Sequence, residues 1–458
     1  MGDVILEPLR FRTLTVKNRV FRSSISGRID NYDGTGTQAR INWEERFAAG
    51  GVGGIISAHV PVHVRGRILP HYAFIDADEK VPFWRRVVEA VHRHDCAFIL
   101  QLSHGGRQQD IGGVENEGLP AMTSWGKVDA FHGFPNRTMT VAEIREVIGW
   151  FAAGARRAVA AGVDGLELHS SNGYLFTQFL SSAINRRRDQ YGGSLENRAR
   201  FLLEVVHAIR DEVGTDVHLQ VKLSGEDHND VFLPWAKFGN TIDETVQVAR
   251  WAEQAGADAI HVSSGAWFPH PKNPPGDLPM GDVARTYASM LSSGKHVVRN
   301  WFAFRSRLLS PLVRRAWLRA RGLVIEGINL PYAREIKRAV SVPVICTGGF
   351  QRASVIREAI ERGDCDAVAI ARPLIANPDL VRWYERGFDQ PERPCTFCNK
   401  CLARVLTEPL GCYDETRYAS RQEMLAEVMS IFRPDGFAEP GATSPEAPDA
   451  REPQPHLQ

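Results

Sequence analysis

The stretch VPVICTGGFQRASVIREAIERGDCDAVAIARP, residues 342–373, decides the fold. It opens on a short apolar run at 342–347 and passes through a glycine pair. An amphipathic segment follows at 353–363, and a second apolar run at 367–371 closes it. Runs of this length bounded by glycine read as strands, and apolar residues at 3.6-residue spacing read as a helix. Two such strands joined by a helix lie parallel, because the crossover returns the chain in the same direction. Working outward, comparable runs occur at about 19–25, 53–58, 97–102, 165–169, 217–223 and 259–263. Amphipathic segments at 141–161, 195–213 and 243–255 separate several of them. Eight strand–helix alternations predict an α/β protein of the (β/α)8 TIM-barrel class rather than an open doubly wound sheet. No G-x-G-x-x-G follows a strand, so a dinucleotide-binding half-domain has no support.

At 458 residues the chain has room for about three domains of roughly 150 residues, or for one barrel with additions. Lys plus Arg is 55 and Asp plus Glu 54, a net charge of +1, which disfavours a nucleic-acid partner. Neither a spanning apolar segment nor a signal-peptide core is visible, so the expected location is cytoplasmic. The expected organisation is a barrel at 1–390 with an insertion at about 281–327 between the sixth and seventh units. A Cys-rich extension at 391–415, a helix at 416–432 and a disordered tail at 433–458, with six prolines, follow. Within the insertion, residues 295–321 carry seven arginines, four Trp or Phe residues and no acid. Two readings stand: a subdomain with buried aromatics and solvated arginines, or a lid that attracts an anionic substrate or touches a membrane surface.

In a barrel, chemistry sits where strands end at their C-terminal side. Strand seven runs into Gly348 and Gly349, and strand eight ends at Ala371 and Arg372. Paired glycines let backbone N–H groups approach a phosphate, and the arginine supplies counter-charge. The plain alternative is a tight turn. Strand four ends in His169-Ser170-Ser171-Asn172-Gly173-Tyr174. His169 and Asn172 can both donate to one carbonyl oxygen, and Tyr174 carries a phenolic proton suited to a general acid. Cys395, Cys398, Cys401 and Cys412 are packed into one short stretch. Four thiolates suit a [4Fe-4S] cluster or, second, a zinc ion, and reduced structural thiols are the third reading. Cys96, Cys346 and Cys365 sit in apolar strand or helix contexts and read as buried packing residues.

The segment 169–174, then Gln178-Phe179-Leu180 and NRRRDQYGGSLENR at 185–198, resembles the signature of the old yellow enzyme family of FMN-dependent oxidoreductases. Asn18-Arg19, Gln101, His104-Gly105-Gly106-Arg107, Gly348-Gly349-Phe350 and Ala371-Arg372-Pro373 add to the resemblance, which covers about residues 5–390. It implies FMN at the mouth of the strands, with Gly349 and Arg372 on its phosphate, Gln101 on the ring edge and Ala58 beside the ring. His169 and Asn172 would grip a carbonyl oxygen. NAD(P)H would reduce the flavin, which would pass hydride to an α,β-unsaturated carbonyl compound or an enoyl or dienoyl thioester, Tyr174 adding the proton. Lys222 stands where the family usually has arginine at the flavin's N1 and O2, and Ser26, in competition with Ser24, is the candidate near N5 and O4. The cysteine stretch is similar to that of the dienoyl-CoA reductase and trimethylamine dehydrogenase branch, whose members carry further nucleotide-binding domains. The sequence shows none after Cys412, so a cluster here is expected either to be fed by a separate electron-transfer protein or to be vestigial. Two alternative functions follow: an iron-sulfur flavoenzyme fed by such a partner, and a flavin-free phosphate-binding barrel with aldolase or isomerase chemistry, in which Lys222 would form a Schiff base.

Overall fold

A computed structural model describes residues 2–109, 119–126, 133–229, 239–291 and 294–434. Eight parallel strands close on one another: β1 (Val20–Arg22), β2 (Gly54–Ile56), β3 (Ala97–Ser103), β4 (Gly165–Ser170), β5 (His218–Ser224), β6 (Ala259–Ser263), β7 (Val344–Thr347) and β8 (Ala367–Ile370). Each pairs with the next in order, and β8 pairs with β1 through Val368 and Val20 to complete the barrel. The expected strands are all present. β1 is shorter than 19–25 because Ser24 leaves the ladder and hydrogen-bonds the Gln101 side chain at 2.8 Å.

Seven of the crossovers carry a main helix on the outside: α1 (Gln38–Ala49), α2 (Val81–His92), α3 (Val141–Ala160), α4 (Leu195–Val213), α5 (Ile242–Gln254), and beyond β7 and β8, α10 (Ala353–Glu361) and α11 (Leu380–Glu385). The sixth crossover is longer, with α6 (Met280–Ala288), α7 (Lys295–Arg305) and α8 (Leu309–Arg321) before α9 (Leu330–Lys337). α3 and α5 begin in reciprocal capping boxes, Thr140 with Glu143 and Thr241 with Glu244, which satisfy backbone donors that a helix start leaves open. α10 stops at Glu361, two residues short of the expected end, and Gly363 beyond it adopts φ +70°.

Alternate side chains of the strands point into the barrel. At its floor, Phe21, Ile56, Ile99, Ala259 and Ile345 pack beneath a hairpin of Leu9–Arg10 and Thr15–Val16, whose Leu9 and Val16, with Phe11, plug the bottom. The opposite end is thereby left as the open mouth. Cys96, Cys346 and Cys365 are buried packing residues. In the insertion, Phe304 and Trp317 pack with Leu278, Val283, Tyr287 and Val297 in a small core of its own, whereas Phe302 is exposed. After the cysteine stretch comes a helix at Arg421–Met429. The expected tail falls, from residue 435 onward, outside the described residues.

Candidate active site at the barrel mouth

A cavity of about 290 Å³ opens over the C-terminal ends of the strands. Ser26, His169, Asn172, Tyr174, Lys222, Gly348, Gly349, Ala371 and Arg372 all line it. Ala58 and Gln101, also expected there, are buried outside the lining.

The polar end is built by β4 and the turn that follows. Asn172 and Gly173 take φ +61° and +80°, and a Cβ on Gly173 would lie 2.2 Å from the Ala266 carbonyl, so this turn requires glycine. The Asn172 side-chain oxygen accepts from Asn273 Nδ2 at 2.7 Å and from Ser263 Oγ at 3.2 Å. With its oxygen so occupied, the amide presents its NH2 end as donor. His169 is buried, its Nδ1 has no hydrogen-bond partner among the described residues, and its ring meets that of Tyr174 edge-on at 4.7 Å. Burial, then the positive charge of Lys222, drive the imidazole well below its usual pKa, so it is neutral. Burial likewise raises the Tyr174 phenol above its usual value, which keeps its proton in place at any ordinary pH.

Two buried cations face the same cavity from strands three apart in the barrel. Lys222, on β5, lies in register between His169 and His261 of the neighbouring strands. Burial lowers its pKa, against which the Glu167 carboxylate acts. Arg372 follows β8. It donates to Asn399 Oδ1 at 2.6 Å and stands 5.1 Å from the Phe397 ring, and among the described residues no carboxylate pairs with it. A guanidinium removed from water without a carboxylate partner is costly, and its charge is available to an anion entering the cavity. Next to it, Gly349 has φ +71°, and a Cβ there would stand 2.4 Å from the Ile325 carbonyl.

Beneath the cavity Gln101 belongs to a buried polar network. Its oxygen accepts from Ser24, and its NH2 donates to Glu167 at 2.7 Å. Glu167 also bonds the Gln220 amide and His261 Nδ1, and His261 Nε2 bonds Thr347 Oγ at 2.7 Å. Burial opposes ionisation of Glu167, but His261, Lys222 and Gln101 outweigh it and hold the carboxyl below the usual range. Gln101 is thus held beneath the cavity by Ser24 and Glu167. Ser26 accepts from the His59 N–H at 2.9 Å.

The cysteines gather beside the Arg372 end, and Cys401 lines the cavity. Burial raises the thiol pKa of Cys395, to about 11, and of Cys398 and Cys401, and Cys395 and Cys398 add to the rise at Cys401. Cys412 accepts from Arg417 Nη1 at 3.1 Å. Among the described residues no three His, Cys, Asp or Glu side chains are arranged to hold a metal ion. The four-thiolate set expected from spacing is therefore not formed among the described residues, and the Cys412 sulfur is engaged by Arg417 instead. These residues do not fit a cluster or zinc as they stand.

Sequence reading missed several lining residues. His59, next to Ala58 at the end of β2, and Tyr72 face the trio, with His59 ring centroids 6.1 Å from His169 and 5.4 Å from Tyr174. Their signal was position alone: the loop after a barrel strand. Asn273, which aims Asn172, lies 101 residues from it and gives no local signal.

Fold and mouth together define a (β/α)8 barrel with a built cavity over the C-terminal ends of its strands. The chain belongs to the NADH:flavin oxidoreductase / NADH oxidase family, whose model matches residues 4–274 and 326–390 and leaves the insertion unmatched. It is similar to the NADH oxidase of Thermoanaerobacter brockii, with 31% identity over 434 residues, 92% of this chain and 58% of that protein. The NADPH dehydrogenase of Geobacillus thermodenitrificans (strain NG80-2) is 30% identical over 382 residues, 82% of this chain and 92% of that protein. A structure of morphinone reductase in complex with tetrahydroNAD superposes with a TM-score of 0.61 at 25% identity, covering 85% of this chain and 92% of that one. Three curated relatives are much longer, the chain spanning 58%, 54% and 53% of them.

Proposed function

We propose that the chain is an FMN-dependent NAD(P)H oxidoreductase of the ene-reductase type, acting on an α,β-unsaturated carbonyl compound, enoyl or dienoyl thioesters included. The observation that carries this reading is one cavity lined both by two buried cations, Lys222 and Arg372, and by the His169, Asn172 and Tyr174 trio. A flavin mononucleotide fits that donor set. Arg372, with the backbone N–H groups at Gly348 and Gly349 and the chain at Ala371, would hold the phosphate. Lys222 would balance negative charge at the pyrimidine edge, Ser26 would bond the N5 and O4 side, and Ala58 would lie beside the ring. Bound flavin supplies hydride transfer, from nicotinamide to the alkene's β-carbon in two half-reactions.

The protein's own groups do the rest. His169 and Asn172 donate to the substrate's carbonyl oxygen, where charge grows as the β-carbon is attacked, and such donors are most effective when fixed beforehand in a dry site. Asn273 and Ser263 provide that fixation. Tyr174, still protonated, delivers its proton to the α-carbon, so that one hydride and one proton add across the double bond. Purified protein that releases FMN on denaturation and shows flavin reduction by NADH or NADPH under anaerobic conditions supports this reading. Flavin that is reduced only by an added redox protein favours a partner-fed enzyme. Borohydride trapping of a carbonyl substrate on Lys222, in colourless protein, favours the flavin-free barrel.

A further inference from the structure

The three-helix insertion is strongly basic, with Asp282 in α6 the single acid of its helices. Between residues 283 and 325 there are nine Lys and Arg residues and no Asp or Glu. Among the described residues, two of these arginines reach carboxylates at the edge of the region, Arg285 to Asp282 and Arg314 to Asp277. The insertion also turns apolar side chains outward where α7 meets α8. Phe302 is 61% exposed, Leu308 82%, Leu309 48% and Leu312 62%, all within eleven residues. Their exposure is not for want of a core: the inward face of the same hairpin buries Val297, Phe304 and Trp317. Single exposed apolar residues are ordinary, but a cluster at the corner of a helical hairpin, ringed by exposed Arg305, Arg307 and Arg315, marks an interaction surface.

We propose that this corner docks on an anionic lipid bilayer, its leucines and phenylalanine entering the interface and its arginines meeting the headgroups. Charge decides between occupants. A second copy of the chain packed about a twofold axis would set this basic surface against itself. An anionic headgroup layer offers both what the arginines need and what the apolar corner needs, as interfacial helices do. No described helix is long and apolar enough to cross a membrane, so the contact is peripheral. The inner side of the insertion contributes Val283, Tyr287, Met290 and Trp317 to the cavity, so docking brings the cavity to the lipid surface, where apolar substrates concentrate. The proposal does not depend on the reaction assigned above.

The test is co-sedimentation of the full chain with vesicles of mixed phosphatidylcholine and phosphatidylglycerol, and of phosphatidylcholine alone. Binding is expected to the mixed vesicles only, weakening as salt is raised. Leu308→Ser/Leu309→Ser/Leu312→Ser should lower affinity by about tenfold or more. Arg307→Gln and Arg315→Gln should each lower it by about fivefold. All variants change exposed positions, and an unchanged thermal melt shows that they fold. No binding to mixed vesicles, or equal binding by the wild-type chain and the triple-serine variant, overturns the proposal. So does a wild-type dimer in sedimentation velocity that the triple variant dissolves, which would assign the corner to a second copy.

Discussion

Tyr174→Phe removes one oxygen from the site and leaves the packing against His169 in place. Because a general acid contributes about 10²–10⁴-fold, alkene reduction should slow by at least about a hundredfold while flavin reduction by nicotinamide is spared. Stopped-flow measurement of the two half-reactions separates these outcomes, and equal loss in both would refute the proton-donor role. Arg372→Ala removes the buried counter-charge for a phosphate. It should weaken FMN binding by about tenfold or more while leaving the affinity for riboflavin, which lacks the phosphate, nearly unchanged. Fluorescence titration of the stripped protein with both ligands checks this. At this scale the trio and the Gly349–Arg372 pair were legible in sequence because each sits on a short local motif after a strand. Gln101 is the opposite case. Whether its amide points into the cavity or into the barrel depends on Glu167, 66 residues away, and on Ser24, 77 residues away.

Among the elements, the turn after β4 shows how a rigid segment is assembled from loops. Gln178 is buried and saturates its amide. It donates to the carbonyls of Gly105 at 3.1 Å and Gly173 at 2.8 Å, and it accepts from Arg107 N–H and from Thr123 Oγ. It thereby ties the loop after β3 to the turn that carries Asn172. Gln178→Ala leaves several buried groups unpaired and should cost about 2–4 kcal/mol of unfolding free energy, read from urea denaturation. At the other end of the mouth, Gly349→Ala combines a left-handed φ with a Cβ overlapping the Ile325 carbonyl. A cost of about 1–3 kcal/mol, with loss of bound FMN, is the expected result in the same assay. The strand and helix pattern was readable because periodicity is a local property. The three insertion helices were read only as a basic segment, since their mutual packing through Phe304 and Trp317 is set by tertiary contact.

For the whole molecule, several histidines are buried as neutral rings. Burial lowers His59, His104 and His270 to about 3 each, and burial then Arg65 lower His63 to about 4. In the unfolded chain each would take up a proton near pH 6.5, whereas the native state refuses it. The unfolded state therefore binds more protons between about pH 6.5 and 3, and stability falls as pH drops through that window. The apparent Tm should be highest above about pH 6.5 and decline steadily below it, by a thermal melt at a series of pH values. The barrel's closure was foreseeable from the count of eight alternations. The gathering of four cysteines without a metal-binding geometry was not, since spacing carries no information on burial or on the approach of Arg417. The most direct test of the account follows flavin absorbance in the purified full chain under anaerobic conditions, first on adding NADH or NADPH and then 2-cyclohexenone. The account predicts bleaching by the nicotinamide and recovery with the enone, with recovery strongly slowed in Tyr174→Phe. Protein without flavin, or reduced flavin that the enone fails to reoxidise, would contradict it.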